Sequence, residues 1–334
     1  MLITKPSYFD RFRCIAGLCP DSCCKEWDVQ VDPQAASFYR SLSGPLGDRL
    51  REVLRDEDGE TVMTIIDGRC PMWRDDGLCR IQAELGEGAL CKTCRDFPRL
   101  THDYGDFVEY GLELSCPEAA RILLTSPWAP DLSETVPGGE EPVYDQEAMA
   151  VLKRTRQVAL SLLATPRPAG ETLALLLLYG YQAQEELNCG EALPFDPDAA
   201  LQTIQDHAKP GNPAAIAELY TGLEILTCQW QARLQQLSIP VFPENTGNLI
   251  RYFVNRYWLQ AVSDYDLACR VKFIVLSCLV ICSLGGDFIE SAQLYSKEIE
   301  NSCENVEALL DAVYSSPALT DDKLLGLLTG LSNS

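Results

Sequence analysis

Leu90-Cys91-Lys92-Thr93-Cys94-Arg95-Asp96-Phe97-Pro98-Arg99 contains a CxxC pair and belongs to a segment that is unusually rich in cysteine. Nine of the fifteen cysteines of the chain lie within residues 1–116. They are Cys14, Cys19, Cys23, Cys24, Cys70, Cys79, Cys91, Cys94 and Cys116. Thiolates at this density can close a metal site from several directions. The pattern therefore predicts a metal-bearing N-terminal module joined to a C-terminal module without a metal.

The cellular compartment decides how these thiols are interpreted. The first ten residues lack the basic and apolar regions of a secretory signal. The longest apolar run, Phe273 to Leu284, is shorter than the roughly 20 residues that span a bilayer, so it indicates a buried helix. We therefore expect a cytoplasmic protein with reduced cysteines and no membrane association. A disulfide framework and a set of unrelated buried thiols remain as alternatives to metal ligation.

Length and charge set the broad architecture. The chain has 334 residues, which suggests about two domains. We expect a cysteine-rich domain over residues 1–125, a linker rich in Pro, Gly and acidic residues over 126–143, and a helical domain over 144–334. The formal net charge of -22 disfavours binding to nucleic acid and favours a basic partner.

The N-terminal module is expected to contain short elements of both kinds. Trp27 to Val31, Thr61 to Ile66 and Phe107 to Leu114 have the pattern of strands. Pro33 to Leu54 is helical in character, with a break around Gly44-Pro45. Sparse regular structure is typical of metal modules, because ligand bonds replace part of the core.

The rest of the chain has helical periodicity. The predicted helices are Tyr144–Ala164, Glu171–Leu187, Asn212–Leu237, Asn245–Val262, Tyr265–Leu284, Phe288–Tyr314 and a short helix near Leu324. The predicted fold class is thus mostly α, with a small cysteine-rich α+β module followed by an all-α region. A Rossmann fold is not expected, because the nearest approach to its glycine-rich loop, Glu84-Leu-Gly86-Glu-Gly88, follows a helical stretch and is interpreted as a plain turn.

The identity of the metal is open at this point. Only Cys91 and Cys94 form a closely spaced ligand pair of the zinc type, and His102 is the only histidine near the cysteines. A pool made of thiolates alone is compatible with zinc or with an iron–sulfur cluster.

Several longer motifs run along the chain. They are Cys19-Pro-Asp-Ser-Cys23-Cys24-Lys-Glu-Trp27, Cys70-Pro-Met-Trp-Arg-Asp-Asp-Gly-Leu-Cys79-Arg-Ile-Gln82, Leu90–Arg99, Ser115-Cys116-Pro117-Glu118-Ala119-Ala120, Asn248-Leu-Ile-Arg-Tyr-Phe-Val-Asn-Arg-Tyr257 and Tyr295-Ser-Lys-Glu-Ile-Glu300. Together they resemble the FliB family of flagellin lysine-N-methylases. The family usually has a histidine at the position of Asn301.

The resemblance implies a cytoplasmic enzyme that transfers methyl groups from S-adenosylmethionine to lysine side chains of flagellin. It also implies a [4Fe-4S] cluster, with zinc as the alternative metal. The favoured cluster ligands are Cys19, Cys23, Cys79 and Cys94. The remaining members of the ligand pool are Cys24, Cys70, Cys91 and Cys116. Cys14 is interpreted as structural.

Methyl transfer to lysine needs a neutral amine, so a site must accept a proton from a group of pKa ~10.4. Glu109, Tyr110 and Glu113 lie on the strand-like segment before Cys116 and are the candidate catalytic residues. Solvated positions on a strand are the alternative for all three. Arg95 and Arg99 could bind the carboxylate of the cofactor or could form ordinary salt bridges.

Two other functions remain open. The chain could be a non-catalytic zinc- or iron-binding module, or an electron-transfer module, whose helical domain docks a partner. A thiol-redox protein built on Cys91 and Cys94 is the weaker option, because a thioredoxin-like βαβ context is missing.

Overall fold

The computed structural model describes residues 1–25, 29–57 and 59–331. The α-helices of the described residues are α1 (Pro33–Ser41), α2 (Gly44–Val53), α3 (Arg80–Leu85), α4 (Lys92–Asp96), α5 (Pro117–Thr125), α6 (Gln146–Leu162), α7 (Ala169–Cys189), α8 (Pro197–His207), α9 (Pro213–Thr221), α10 (Cys228–Leu234), α11 (Thr246–Tyr257), α12 (Leu267–Ser283), α13 (Phe288–Tyr295), α14 (Cys303–Ser315) and α15 (Asp321–Leu328). A π-helical segment, Ser296–Glu300, continues α13.

Seven strands form two small sheets among the described residues. The strands are β1 (Leu2–Lys5), β2 (Val29–Val31), β3 (Leu54–Glu57), β4 (Glu60–Met63), β5 (Arg99–Asp103), β6 (Phe107–Leu112) and β7 (Leu132–Thr135). One sheet has the order β2-β4-β3 and is antiparallel. The other has the order β5-β6-β1-β7, in which only the β1–β6 pair is parallel.

The described residues form two main cores that share no residue, and a small third cluster of Phe12, Leu112, Ala119 and Ile122. We name residues 14–98 the head, whose core combines the β2–β4 sheet, α1, α2 and the buried thiols of Cys70 and Cys91. We name the rest the body, whose core extends from Phe107 to Leu328 around α7 and α12. Helix α12 is buried along its whole length, as its apolar run predicts. No helix of the described residues is both long and apolar enough to cross a membrane.

The predicted fold class is confirmed in its helical majority and its small sheets. The described strands and helices do not alternate as they do in a Rossmann fold, and Gly86 ends α3 with a φ of 85°, so the turn at Gly86-Glu-Gly88 is an ordinary helix end. The strand predictions near Val29, Thr61 and Phe107 are confirmed with shifted ends. Trp27 and Asp28 lie outside the described residues. The metal-binding character of the head stays a prediction.

Two helix predictions are wrong because each joins two separate helices. Asn212–Leu237 divides into α9 and α10, since the buried carboxylate of Glu298 accepts hydrogen bonds from the Leu226 N–H and the Thr227 hydroxyl and fixes a turn between them. Phe288–Tyr314 divides into α13 and α14 at the π-helical segment.

Strand β7 lies within the stretch interpreted as a linker, residues 126–143, and pairs with β1 over four residues. This stretch therefore contributes a strand at the edge of the four-stranded sheet. The division of the chain into two domains at this stretch stays a prediction.

Candidate functional site

Five thiols of the head are joined by sulfur hydrogen bonds. Cys24 is hydrogen-bonded to Cys23 and Cys70, and Cys94 is hydrogen-bonded to Cys91. Cys23 and Cys70 also act electrostatically on Cys94, so the two groups lie close together. We name this set, together with Cys79, Cys19 and Cys116, which interact electrostatically with its members, the thiol network.

These hydrogen bonds shift the pKa values of the thiols in opposite directions. The bond from Cys24 lowers the pKa of Cys23 to about 7, and the bond from Cys94 lowers the pKa of Cys91 to about 7. The pKa of Cys70 is lowered by Cys24 in the same way, while the pKa values of Cys24 and Cys94 are raised. The lowered pKa values of Cys23, Cys70 and Cys91 favour the thiolate, which is the form that binds a metal.

The other three members of the thiol network are held as thiols. Burial raises the pKa of Cys79 and of Cys19, and it raises the pKa of Cys116 to about 12. Cys19 and Cys116 interact electrostatically with Cys23, and Cys79 interacts with both Cys70 and Cys23. Cys14 is exposed beside Cys19.

Backbone contacts bring the cysteine-bearing loops together. Gly77 has a φ of +79°, and a side chain there would meet the Cα of Gly17 at 3.3 Å. The loop that carries Cys79 can therefore approach the loop that carries Cys19 only because both glycines lack a side chain. Asp32 fixes the CxxC turn, because its carboxylate accepts from the backbone N–H groups of Ala35 and Lys92 and so joins the starts of α1 and α4.

Over residues 1–25, 29–57 and 59–331, no group of three or more His, Cys, Asp or Glu side chains is arranged to hold a metal ion. The thiols instead satisfy each other through hydrogen bonds. In its chemistry the donor set fits a thiolate-bound metal, because it brings together sulfur atoms from several segments and favours deprotonation at three of them. Metal binding would replace the sulfur–sulfur hydrogen bonds.

The body holds the first cysteine loop through Asp21. Lys297 of the π-helical segment lies 3.2 Å from the carboxylate of Asp21, and Gln293 of α13 donates to the same oxygen. Gln293 also donates to the backbone carbonyl of Ser115, next to Cys116. The charge of Lys297 helps to lower the pKa of Cys23. This contact, which we name the Asp21 clamp, connects the thiol network to the body.

A cavity of about 770 Å³ lies between the four-stranded sheet and the helices α6 and α11. Its floor carries a row of polar residues, one from each strand. Ser133, Thr4, Glu109 and His102 are neighbours across β7, β1, β6 and β5. Because alternate residues of a strand point to the same face, this row is flanked by the apolar pair Leu2 and Phe107 on one side.

The roof of the cavity is cationic. Arg156 of α6 makes a bidentate ion pair with Glu109, with N–O distances of 2.7 and 2.5 Å. The ammonium of Lys153 lies 3.4 Å from the centre of the Phe107 ring. Burial lowers the pKa of His102, so this residue of the floor adds no permanent positive charge at neutral pH.

A buried ionic network lies beside the cavity. The side chain of Glu300 is 0% exposed and accepts hydrogen bonds from Tyr252, Tyr257 and Arg256 at 2.9–3.2 Å. Arg256 lines the cavity and also lies 3.8 Å from Glu113. The network thus joins the π-helical segment, α11 and the end of β6. Such π-helical turns often occur at functional sites.

The predicted catalytic residues lie in two different parts of the structure. Glu109 and Tyr110 line the cavity, and Tyr110 stacks on Phe9 with ring centres 5.5 Å apart. Glu113 lies in the buried network, where burial raises its pKa. All three assignments stay predictions.

The predicted cofactor ligands lie apart from the cavity. Arg95 is half-exposed and lies 3.7 Å from Asp96, and the guanidinium of Arg99 stacks over the Phe12 ring. Sequence reasoning missed the cavity cations Lys153 and Arg156 of α6 and the aromatic Trp128 of the supposed linker. The sequence of an amphipathic helix such as α6 shows that cations share one face, but it does not show that this face lies over a cavity.

Taken together, the fold and the site define a mostly helical protein with a cysteine-rich head and a separate polar cavity. No family model and no solved structure matches the chain. Curated relatives do match it. Lysine-N-methylase of Salmonella typhimurium (strain LT2) is 34% identical over 142 residues, which are 40% of this chain and 35% of the relative. Lysine-N-methylase of Salmonella choleraesuis is 33% identical with the same coverage.

The flagellar biosynthetic protein FliU of Salmonella muenchen is 32% identical over 142 residues, which are 82% of that relative. The chain belongs to the FliB family, as its cysteine motifs predict. The match spans about a third of the length of the two lysine-N-methylases.

Proposed function

We propose that the chain is an S-adenosylmethionine-dependent protein-lysine N-methyltransferase that acts on flagellin and carries a [4Fe-4S] cluster in its head. The observation that carries the proposal is the relationship to proteins named lysine-N-methylase. The name of FliU supports a flagellar substrate. The strongly negative net charge of the chain suits a substrate that presents lysines.

The thiol network supplies the ligands in this proposal. A cubane takes at most four protein thiolates. Cys19, Cys23, Cys79 and Cys94 stay the favoured set, and Cys24, Cys70, Cys91 and Cys116 stay the pool. The lowered pKa values of Cys23, Cys70 and Cys91 favour these three as early ligands. When bound, the cluster would supply iron for electron transfer or for contact with the donor.

The residues of the cavity supply the acid–base chemistry. A lysine amine attacks the methyl carbon of the sulfonium, the carbon–sulfur bond breaks with its electron pair going to sulfur, and the amine gives up a proton. Glu109 is the candidate acceptor of that proton, directly or through water, because its carboxylate faces the cavity while Arg156 holds it in place. Exclusion of water by the roof helices would favour the neutral amine.

The experiment is co-production of the chain with flagellin under oxygen-free conditions, followed by peptide mass spectrometry and by metal and sulfide analysis. We expect methylated lysines that depend on S-adenosylmethionine, with about four iron and four sulfide per chain. Glu109→Gln should lower methylation, whereas Glu147→Gln, at an exposed position of α6 outside the cavity, should not. Unmodified flagellin with the intact, iron-loaded chain would contradict the proposal.

A second candidate is a metal-binding or electron-transfer module without catalysis. It is favoured by the absence, among the described residues, of a Rossmann-type sheet for S-adenosylmethionine. A colourless protein with bound zinc and no methylase activity would support this candidate.

A further inference from the structure

We propose that the cavity over the four-stranded sheet binds the methyl donor, with Lys153 holding the carboxylate of the donor and Trp128 stacking on its adenine. This inference rests on the proposed function, because it takes the donor to be S-adenosylmethionine. It assigns the donor to a part of the molecule outside the cysteine motifs.

The volume and lining of the cavity suit such a ligand. At about 770 Å³, the cavity lies within the range of roughly 300–1,000 Å³ that small-molecule sites occupy. It combines an apolar end, formed by Leu2, Phe107 and Leu160, with the polar row across the floor. The donor has a planar adenine and a hydrocarbon chain on either side of its cationic sulfonium, a polar ribose and a charged amino-acid end, so it needs both kinds of surface.

Charge pairing in the cavity singles out Lys153. Each of the arginines that line the cavity has a carboxylate partner: Arg154 pairs with Glu186, Arg156 with Glu109, and Arg256 with Glu300. Lys5 pairs with Asp10. Among the described residues, no carboxylate lies within ion-pair distance of Lys153, which contacts the Phe107 ring instead. A ligand carboxylate would give Lys153 the ion-pair partner that the other cavity cations already have.

Trp128 offers the aromatic surface. It lines the cavity and is 52% exposed, which is unusual for a tryptophan of a folded core. The guanidinium of Arg251 lies 4.2 Å from its ring centre, and Arg251 is in turn held by Asp131 at 2.5 Å. The indole is therefore fixed in orientation while part of its surface stays open. A planar base stacks well on such a fixed ring.

The test is calorimetric binding of S-adenosylhomocysteine to the full chain, purified without oxygen, with adenosine as a second probe. Wild type should bind S-adenosylhomocysteine. Lys153→Met should weaken this binding about tenfold and leave adenosine binding unchanged, because adenosine has no carboxylate. Trp128→Leu should weaken the binding of both probes. Lys209→Met, which removes an exposed lysine paired with Asp322 far from the cavity, is the matched control.

A substitution that fills the cavity tests the site independently of Lys153 and Trp128. Gly111 lies on the cavity floor, and a Cβ there would meet Leu100 at an ordinary 3.6 Å, so the strand tolerates a side chain. Gly111→Leu should abolish binding of both probes with little change in melting temperature. Gly247→Leu, in open space on α11, is the control.

The outcomes separate the two proposals. Wild-type affinity in both Gly111→Leu and Lys153→Met would overturn the cavity assignment, and continued methylation by these variants would leave the proposed function intact. Loss of binding in the variants, with no methyl transfer by the wild type, would support the site and overturn the function. Failure of the wild type to bind S-adenosylhomocysteine would overturn the cavity assignment.

Discussion

The head and the body of this molecule have cores that are built from different side chains. In the body, all residues of α12 are buried, and large side chains such as Trp230, Trp258 and Phe253 pack into one continuous core. In the head, α3 and α4 have six and five residues, and the core joins a few apolar residues to the thiols of Cys70 and Cys91.

Helices as short as α3 and α4 are marginal by themselves, and a small core supplies little free energy of unfolding. The head therefore needs additional links between its loops, and its thiols already converge to form them. The cysteines of the head thus connect its loops through sulfur hydrogen bonds, whereas a buried cysteine of the body, such as Cys278, acts as an apolar side chain.

The largest expected effect lies in the body. Glu300→Gln removes the charge that compensates the buried Arg256, so the free energy of unfolding should fall by about 3–5 kcal/mol. Denaturant titration would measure the loss. Glu307→Gln, at an exposed position of α14, should change the stability by less than about 0.5 kcal/mol. Equal stability of the two variants would show that the body does not depend on this ionic network.

The next effect separates the two kinds of cysteine. Cys24→Ser removes the thiol that bridges Cys23 and Cys70, so metal affinity should fall on the order of a hundredfold. Cys278→Ala should leave the metal content unchanged and cost about 1–2 kcal/mol in stability, because it only removes buried volume. Metal analysis with denaturant titration would check both. Retained metal in Cys24→Ser would mean that Cys24 itself is a core residue like Cys278.

A smaller effect is expected where the head meets the body. Lys297→Met breaks the Asp21 clamp and should cost about 1.5 kcal/mol, since it removes a charged hydrogen bond from a half-buried carboxylate. Hydrogen exchange should become faster in the Cys19–Cys24 loop. Lys272→Met breaks an ion pair with Asp321 within the body and should leave exchange in that loop unchanged. Unchanged exchange in Lys297→Met would show that the head keeps its loop without the body.

The smallest effect is a pH dependence. Burial lowers the pKa of His102, so the unfolded chain takes up a proton more readily than the folded chain. The contribution of His102 to stability is therefore lost as the pH falls below about 6.5, with a slope of at most about 1.4 kcal/mol per pH unit. His102→Asn should be less sensitive than wild type between pH 7.5 and 5.5. His207→Asn is the control, and identical profiles for all three proteins would contradict the expectation.

Much of the body could be predicted from the sequence, because a buried helix such as α12 carries its own signal in a continuous apolar run. The prediction failed where a distant side chain intervened. The spacing of one helix is shared by Leu219, Leu223, Leu226 and Trp230. The helix is nevertheless interrupted, because the carboxylate of Glu298, more than seventy residues away, accepts a hydrogen bond from the Leu226 N–H.

The cysteine motifs predicted the family and the region in which the thiols converge. They could not predict the cavity, because its polar row takes one residue from each of four strands that are far apart in the chain. β1 is four residues long and β7 is fully exposed, so neither has the alternating pattern that identifies a strand. Such a row exists only once the strands have paired.

The order β5-β6-β1-β7 also governs how the molecule is made. Strand β1 is synthesised before both of its neighbours, which are residues 107–109 and 132–135. At translation rates of about 5–20 residues per second, the nascent strand waits for several seconds or longer with both edges open. During that interval the unpaired strand can pair with a neighbouring nascent chain, so the yield during production should depend on the speed of the ribosome between the codons of β1 and those of β7.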